Sequence, residues 1–214
     1  MNFTDPRVAA VFETYRQREA ADQARMRELG PAGFVVRDEF LLPIGEDVGA
    51  VLHALVLARR PRVILELGTS YGYSTLILAD AAREVGARVV SMELADYKQA
   101  FAQARLEEAG LADVAELRCG DALALLAEEA GPFDFVLLDI WKELYLPCFD
   151  AFYPKLSDEG VIASDNMVEP VHDRLNVRAF REAVRARADL QTVLLPIGSG
   201  IELTVRWDAV NSKL

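Results

Sequence analysis

Two short stretches carry the most reactive chemistry in this chain, Leu138-Asp139-Ile140-Trp141-Lys142 and Ser164-Asp165-Asn166. Each follows an apolar run, so each stands where a buried strand would end. Asp139, Asp165 and Asn166 offer two carboxylates and an amide carbonyl, hard oxygen donors that suit magnesium, manganese or calcium. Zinc would call for histidine or cysteine instead. Lys142 lies three residues after Asp139, and a helical turn starting at the strand end would bring its amine to the same side. Beside a cation and partly desolvated, an amine favours its neutral form and can take a proton from a hydroxyl held at the ion. Adjacent strand residues point to opposite faces, so Asp165 and Asn166 share an ion only if the backbone turns there. The following Met167-Val168-Glu169-Pro170 offers such a turn. The competing reading makes Asp139 and Asp165 helix caps, leaves Asn166 in a turn and pairs an exposed Lys142 with Glu143.

A second constellation surrounds a glycine turn. Val63 to Leu67 read as a buried strand, Gly68 and Gly72 permit a tight turn with close backbone approach, and Tyr73 to Ala82 carry apolar residues at helical spacing. A ligand is expected over that helix's N-terminus. The pattern Glu66-x-Gly68-x-x-x-Gly72 is neither a dinucleotide fingerprint nor a phosphate loop, and no lysine lies between Met1 and Lys98. Glu66 near the turn suits instead a cationic or hydrogen-donating ligand, such as the amino group and sulfonium of S-adenosylmethionine. The next strand, Arg88 to Glu93, ends in an acid able to accept from both ribose hydroxyls. A third ends in Gly120-Asp121-Ala122, where Asp121 could accept from an adenine amine and the Ala122 amide could meet the ring nitrogen. Asp121 equally suits the N-cap of the helix that follows, and Glu93 a solvated strand end.

These sites need a scaffold, and the alternation of apolar runs with helical segments supplies one. Strands are expected near residues 63–67, 88–93, 115–118, 133–138 and 160–164, each followed by a helix or helical turn. Gln191 to Pro196 and Ile201 to Trp207 leave no room for a helix across Ile197-Gly198-Ser199-Gly200 and should form an antiparallel hairpin. The expectation is an α/β fold, a mostly parallel seven-stranded sheet with helices on both faces. Pro6 to Leu29 reads as a helix with Val8, Val11, Phe12 and Tyr15 on one face, ending at Gly30-Pro31. Residues 1–45 are thus expected as a helical cap or a contact for a second copy in a homodimer, and residues 46–214, opening on a helix near 46–58, as the catalytic domain.

Composition narrows the classes. A chain of 214 residues, 52% hydrophobic and 27% charged, is long enough for one domain with a substantial core. No apolar run approaches the roughly 20 residues of a membrane span, and Met1 to Arg18 lack a signal-peptide core. A cytoplasmic protein is expected. Ser212-Lys213-Leu214 would read as a peroxisomal address only if it were a native C-terminus. The net charge of −11 repels phosphate backbones, which disfavours nucleic acid as a partner. Cys119 and Cys148 fit reduced, packed thiols, and His53 and His172 fit structural roles.

Taken together, Glu66-Leu-Gly-Thr-Ser-Tyr-Gly-Tyr-Ser74, Leu138-Asp-Ile-Trp-Lys-Glu-Leu-Tyr-Leu-Pro147 and Ser164-Asp-Asn166 resemble the magnesium-dependent class I O-methyltransferases, especially the catechol and caffeoyl-CoA types. The resemblance runs from about Gly49 to Arg206, and the hairpin Leu195 to Gly200 looks more like the caffeoyl-CoA type. It implies a Rossmann-like class I methyltransferase fold. It implies Glu66, Gly68, Ser70, Gly72 and Ser74 around the methionine part of S-adenosylmethionine, with Asp139 also on the cofactor side. Glu93 would hold the ribose, and Asp121 and Ala122 the adenine. Asp139, Asp165 and Asn166 would bind Mg2+ (or Mn2+ or Ca2+), with Lys142 as general base. Trp141, Asn166, Met167 and Pro170 would border the acceptor, a small aromatic with vicinal hydroxyls. The chain departs from the catechol type at Ile140, where that type has a histidine, and at Val193, near where it places a glutamate on the second hydroxyl. Three alternatives remain: a metal-independent small-molecule methyltransferase, a catalytically silent cofactor-binding protein, and an NAD-dependent oxidoreductase, the last weakened by the missing fingerprint.

Overall fold

In the computed structural model, which describes residues 1–168 and 174–207, seven strands form one sheet. They are β1 (Val63–Leu67), β2 (Arg88–Glu93), β3 (Ala115–Cys119), β4 (Phe133–Leu138), β5 (Leu156–Ser164), β6 (Leu190–Leu195) and β7 (Ile201–Arg206), in the order β3-β2-β1-β4-β5-β7-β6. The first five run parallel, and β7 pairs antiparallel with both β5 and β6. Parallel strands need both faces covered, which explains why Ile64 to Leu67 and Phe135 to Leu138 are buried without alternation.

The cover comes from seven helices. One apolar cluster joins α1 (Pro6–Leu29), α2 (Glu46–Arg59), α3 (Tyr73–Val85) and α4 (Asp96–Ala109) to one face. A second joins α5 (Ala122–Glu128), α6 (Tyr145–Phe152) and α7 (Arg174–Arg185) to the other. No helix among the described residues is long and apolar enough to cross a membrane.

Strand boundaries follow the sequence closely except at β5, which begins at Leu156 rather than near residue 160. Phe133 pairs with Leu156 and Phe135 with Val161, so the polar run Ser157 to Gly160 bulges out of the ladder. That polarity is what makes the segment read as a loop. Cys148 is packed as expected, whereas Cys119, at the end of β3, is exposed.

The N-terminal helix belongs to the core. Asp5 caps it, accepting from the Arg7 amide at 2.9 Å, and Pro6 occupies its first turn. Its apolar face carries Val8, Val11, Phe12 and Tyr15, all buried. Phe12 packs on Tyr73 with ring centroids 5.3 Å apart, and the Tyr15 hydroxyl donates to the Tyr71 carbonyl at 2.6 Å. The face that could have met a second copy is thus spent on the chain's own glycine turn. Between α1 and α2, residues 30–45 form two 3-10 turns, Gly30–Phe34 and Arg37–Glu39, then an extended stretch, a strap across the C-terminal ends of the strands. Phe12→Ala should cost about 3–5 kcal/mol in urea unfolding. A loss below about 1 kcal/mol would mean that α1 is a detachable cap.

Candidate functional site

Beyond the C-terminal ends of β1, β2, β4 and β5, under the strap, lies a cleft of about 720 Å³. Ladder hydrogen bonds fix its floor: Asp139 N–H donates to Leu67 O at 3.0 Å and Asp165 N–H to Leu138 O at 3.1 Å. The strand ends are so close that a Cβ on Gly68, at φ +104°, would lie 2.0 Å from the Asp139 carbonyl oxygen. Only glycine fits there.

At one end the cleft is bordered by Gly68, Ser70, Glu93, Asp121 and Ala122, all of them expected. The Ser70 amide donates to Glu93 Oε2 at 2.8 Å and the Ala95 amide to Oε1 at 3.0 Å, which aims a fixed carboxylate along the cleft. Asp121 caps α5, accepting from the Ala124 amide at 2.9 Å, and it also borders the cleft. Gly72 is the left-handed N-cap of α3 and lies beneath the turn, where a Cβ would meet Ala102 at 2.8 Å. Ser74 borders a small side pocket that shares Gly68, Ser70 and Asp139 with the cleft.

Glu66 is a correction. It is fully buried and borders neither cavity; its oxygens accept from Ser74, Thr75 and Ser91 hydroxyls, each at 2.5 Å. The carboxylate points back into the seam between β1, β2 and α3, where it braces the turn. Burial pushes its pKa up to about 7, against the pull of the three hydroxyls.

The other end is acidic. Asp139, Asp165 and Asn166 all face the cleft. Asn166 adopts φ +57°, and this left-handed residue is the backbone turn that lets neighbours on β5's end share one space. Asp165 is 2% exposed, and among the described residues its Oδ1 has no hydrogen-bond partner. Burial, then the charge of Asp139, raises Asp165 to about 7; burial also holds Asp139 above the usual carboxylate range, although Lys142 pulls the other way. A buried oxygen left unsatisfied is costly, and a hard cation would satisfy it. Among the described residues no set of three or more histidine, cysteine, aspartate or glutamate side chains is poised around a point. Two carboxylates and one amide therefore suit an ion that retains waters, as magnesium does.

Lys142 reaches this end, its Nζ 3.6 Å from Asp139 Oδ1. The expected helical turn from Asp139 is absent; a 3-10 turn, Lys142–Leu144, starts at the lysine itself. Its Nζ donates to Ile140 O at 3.0 Å and to the Tyr145 hydroxyl at 2.6 Å. Trp141, 44% exposed, forms a wall, with the Arg37 guanidinium 4.3 Å from its ring centroid. Met167 is a second correction, since it packs in the core behind the site and does not border the cleft. Pro170 lies outside the described residues, as do His172 and Ser212 to Leu214.

Sequence reasoning missed the strap. Arg37, Asp38, Leu41 and Leu42 all border the cleft, and Asp38 is hydrogen-bonded to Lys98 and to Tyr97 at the start of α4. No periodicity marks such an irregular segment. Tyr145 was missed too, although the spacing Lys142-x-x-Tyr145 was there to read.

A family model described as a methyltransferase domain matches residues 65–167, from β1 to just past the acidic end. The O-methyltransferase TomG from Streptomyces achromogenes, solved in complex with S-adenosylmethionine, is 26% identical and superposes with a TM-score of 0.72 over 90% of this chain and 98% of that one. An O-methyltransferase from Bacillus cereus, solved with S-adenosylhomocysteine, is 27% identical, with a TM-score of 0.72 over 90% and 99% of the two chains. A catechol O-methyltransferase of Niastella koreensis is 33% identical over 132 residues, 59% of each protein. In sequence and in fold the chain is similar to the class I O-methyltransferases. It spans about three fifths of the length of curated relatives such as the Niastella protein. Its Rossmann-like sheet with antiparallel final strands is the fold of this family.

Within this methyltransferase fold, Glu66 carries a pH signature. A carboxyl whose folded pKa is raised from 4.5 to about 7 adds stability that is complete below the unfolded value and is lost as pH rises through the folded one. Glu66→Gln should therefore flatten the fall in unfolding free energy between about pH 5 and pH 8 by at least about 1 kcal/mol. An unchanged slope would show that Glu66 titrates alike in both states.

Proposed function

We propose that this protein is a divalent-cation-dependent O-methyltransferase that uses S-adenosylmethionine to methylate one hydroxyl of a small aromatic with two adjacent hydroxyls. The observation that carries the reading is Asp165 Oδ1, buried beside Asp139, without a hydrogen-bond partner among the described residues and facing the same cleft as Lys142. The names of the relatives support the transfer chemistry and the acceptor class.

S-adenosylmethionine, when bound, presents a methyl group on a cationic sulfur to an oxygen nucleophile in line. The chain's part is binding and alignment. Glu93, fixed by two amides, would receive the ribose hydroxyls; Asp121 and Ala122 would border the adenine, and Gly68, Ser70 and Asp139 the methionine end, since all of them line the cleft. A divalent ion held by Asp139, Asp165 and Asn166 would act as Lewis acid and template, lowering a hydroxyl pKa that otherwise lies near 10. Lys142 Nζ takes the hydroxyl proton, and Trp141 and the strap exclude water from a reaction whose charges cancel as it proceeds. Alignment of sulfur, methyl and oxygen contributes the rest.

The test is S-adenosylhomocysteine formation across a panel of vicinal diols, with magnesium and then with excess chelator. Magnesium-dependent turnover is expected, and turnover that survives the chelator would favour metal-independent transfer. Asp139→Ala should abolish the magnesium-dependent rate. Lys142→Met should bind S-adenosylmethionine normally yet lose about 100-fold or more in turnover at neutral pH. An unaltered rate and pH profile in that variant would remove Lys142 as base.

A further inference from the structure

Tyr145 is fully buried, and its hydroxyl lies where three parts of the site meet. It is 3.0 Å from Leu138 O, 3.0 Å from Asp165 O and 2.6 Å from Lys142 Nζ. A phenol oxygen has one hydrogen and two lone pairs. The two carbonyls only accept, so the tyrosine proton is shared between them, and the oxygen is left to accept from the lysine. Leu138 immediately precedes Asp139, and Asp165 is the other acid. One hydroxyl therefore ties the end of β4 to the end of β5 at the residues that present both carboxylates, and holds the amine that works beside them. The Leu138 carbonyl already accepts the Asp165 amide, so its second lone pair goes to Tyr145. The ring itself is fixed edge-on against Phe180, with centroids 5.4 Å apart.

We infer that Tyr145 is a positioning residue: its hydroxyl sets the separation of the Asp139 and Asp165 carboxylates and the placement of Lys142 Nζ. The inference rests on the proposed metal-assisted transfer. Lysine has a long flexible stem, and without the hydroxyl its Nζ keeps the Ile140 carbonyl but loses the 2.6 Å contact to Tyr145. Groups that orient metal ligands in this way typically change affinity or activity about 10–100-fold when removed.

The test compares Tyr145→Phe with Tyr153→Phe, which deletes the same atom from a tyrosine bonded to Asp189, outside the cleft. With magnesium and a vicinal diol, Tyr145→Phe should lower kcat about tenfold or more, with acceptor KM and S-adenosylmethionine affinity within about twofold. Without acceptor, it should weaken Mn2+ binding about tenfold. Tyr153→Phe should leave both near wild type. Lys142→Met and Tyr145→Phe should be non-additive in kcat, since one acts through the other. Circular dichroism first establishes that Tyr145→Phe is folded; if it is not, Lys142→Met and Lys142→Arg carry the comparison of Mn2+ affinity, which should drop where the hydroxyl loses its partner. Wild-type kcat and Mn2+ affinity in folded Tyr145→Phe would overturn the inference. Equal losses in Tyr153→Phe would reduce it to general destabilisation. A wild-type protein that binds no Mn2+ would instead overturn the metal reading on which it rests.

Discussion

The constraint on which this molecule turns is the pairing of a buried carboxylate, Asp165, with a half-buried one, Asp139, at the ends of adjacent parallel strands. Asp139 and Asp165 are carried there by ladder hydrogen bonds from their amides to the Leu67 and Leu138 carbonyls, which place them on neighbouring strands. Burial raises both above ordinary carboxylates, the charge of Asp139 adds to the rise at Asp165, and one oxygen of Asp165 has no partner among the described residues. A fold tolerates such an arrangement when something compensates it. Lys142 at 3.6 Å offsets part of the charge, and the geometry leaves space for a hard cation to offset the remainder. Other features of the site follow: the glycine that lets the strands meet, the left-handed Asn166 and the tyrosine that joins the two ends.

Much of this was legible because strand ends are strongly encoded. Runs such as Phe133 to Leu138 can only be buried, and the first polar residue after each stands at the edge of the sheet, where open α/β folds gather ligands. Hence Asp139, Asp165, Glu93 and Asp121 were readable from polarity alone. Glu66 and Met167 were misread for one reason: each lies next to a cleft residue, and sequence proximity says nothing about which way a side chain points. Glu66 sits one residue before the end of β1 and points across the sheet to Ser91 and into α3, where three hydroxyls wait for it. The strap escaped because its turns have no period and its contacts are distant. Asp38 meets Tyr97 and Lys98 some sixty positions on.

The two halves of the cleft differ in how they handle charge. At the Glu93 end the carboxylate is held by two backbone amides, which fix its orientation and leave it further lone pairs. At the acidic end the acids are held by their strands, by the Tyr145 hydroxyl between the strand ends and by Lys142. An overall charge of −11 adds to that field and favours the approach of cations over anions. The strap joins the two halves, since Asp38 anchors it to α4 while Arg37 stacks on Trp141 beside the acidic end.

The most direct measurement is anomalous diffraction from crystals of the S-adenosylhomocysteine complex soaked in Mn2+. The account predicts a single strong peak in the cleft, within bonding distance of Asp139, Asp165 and Asn166 and flanked by waters. A cleft without a peak at saturating Mn2+, with these side chains ordered around S-adenosylhomocysteine, would contradict it.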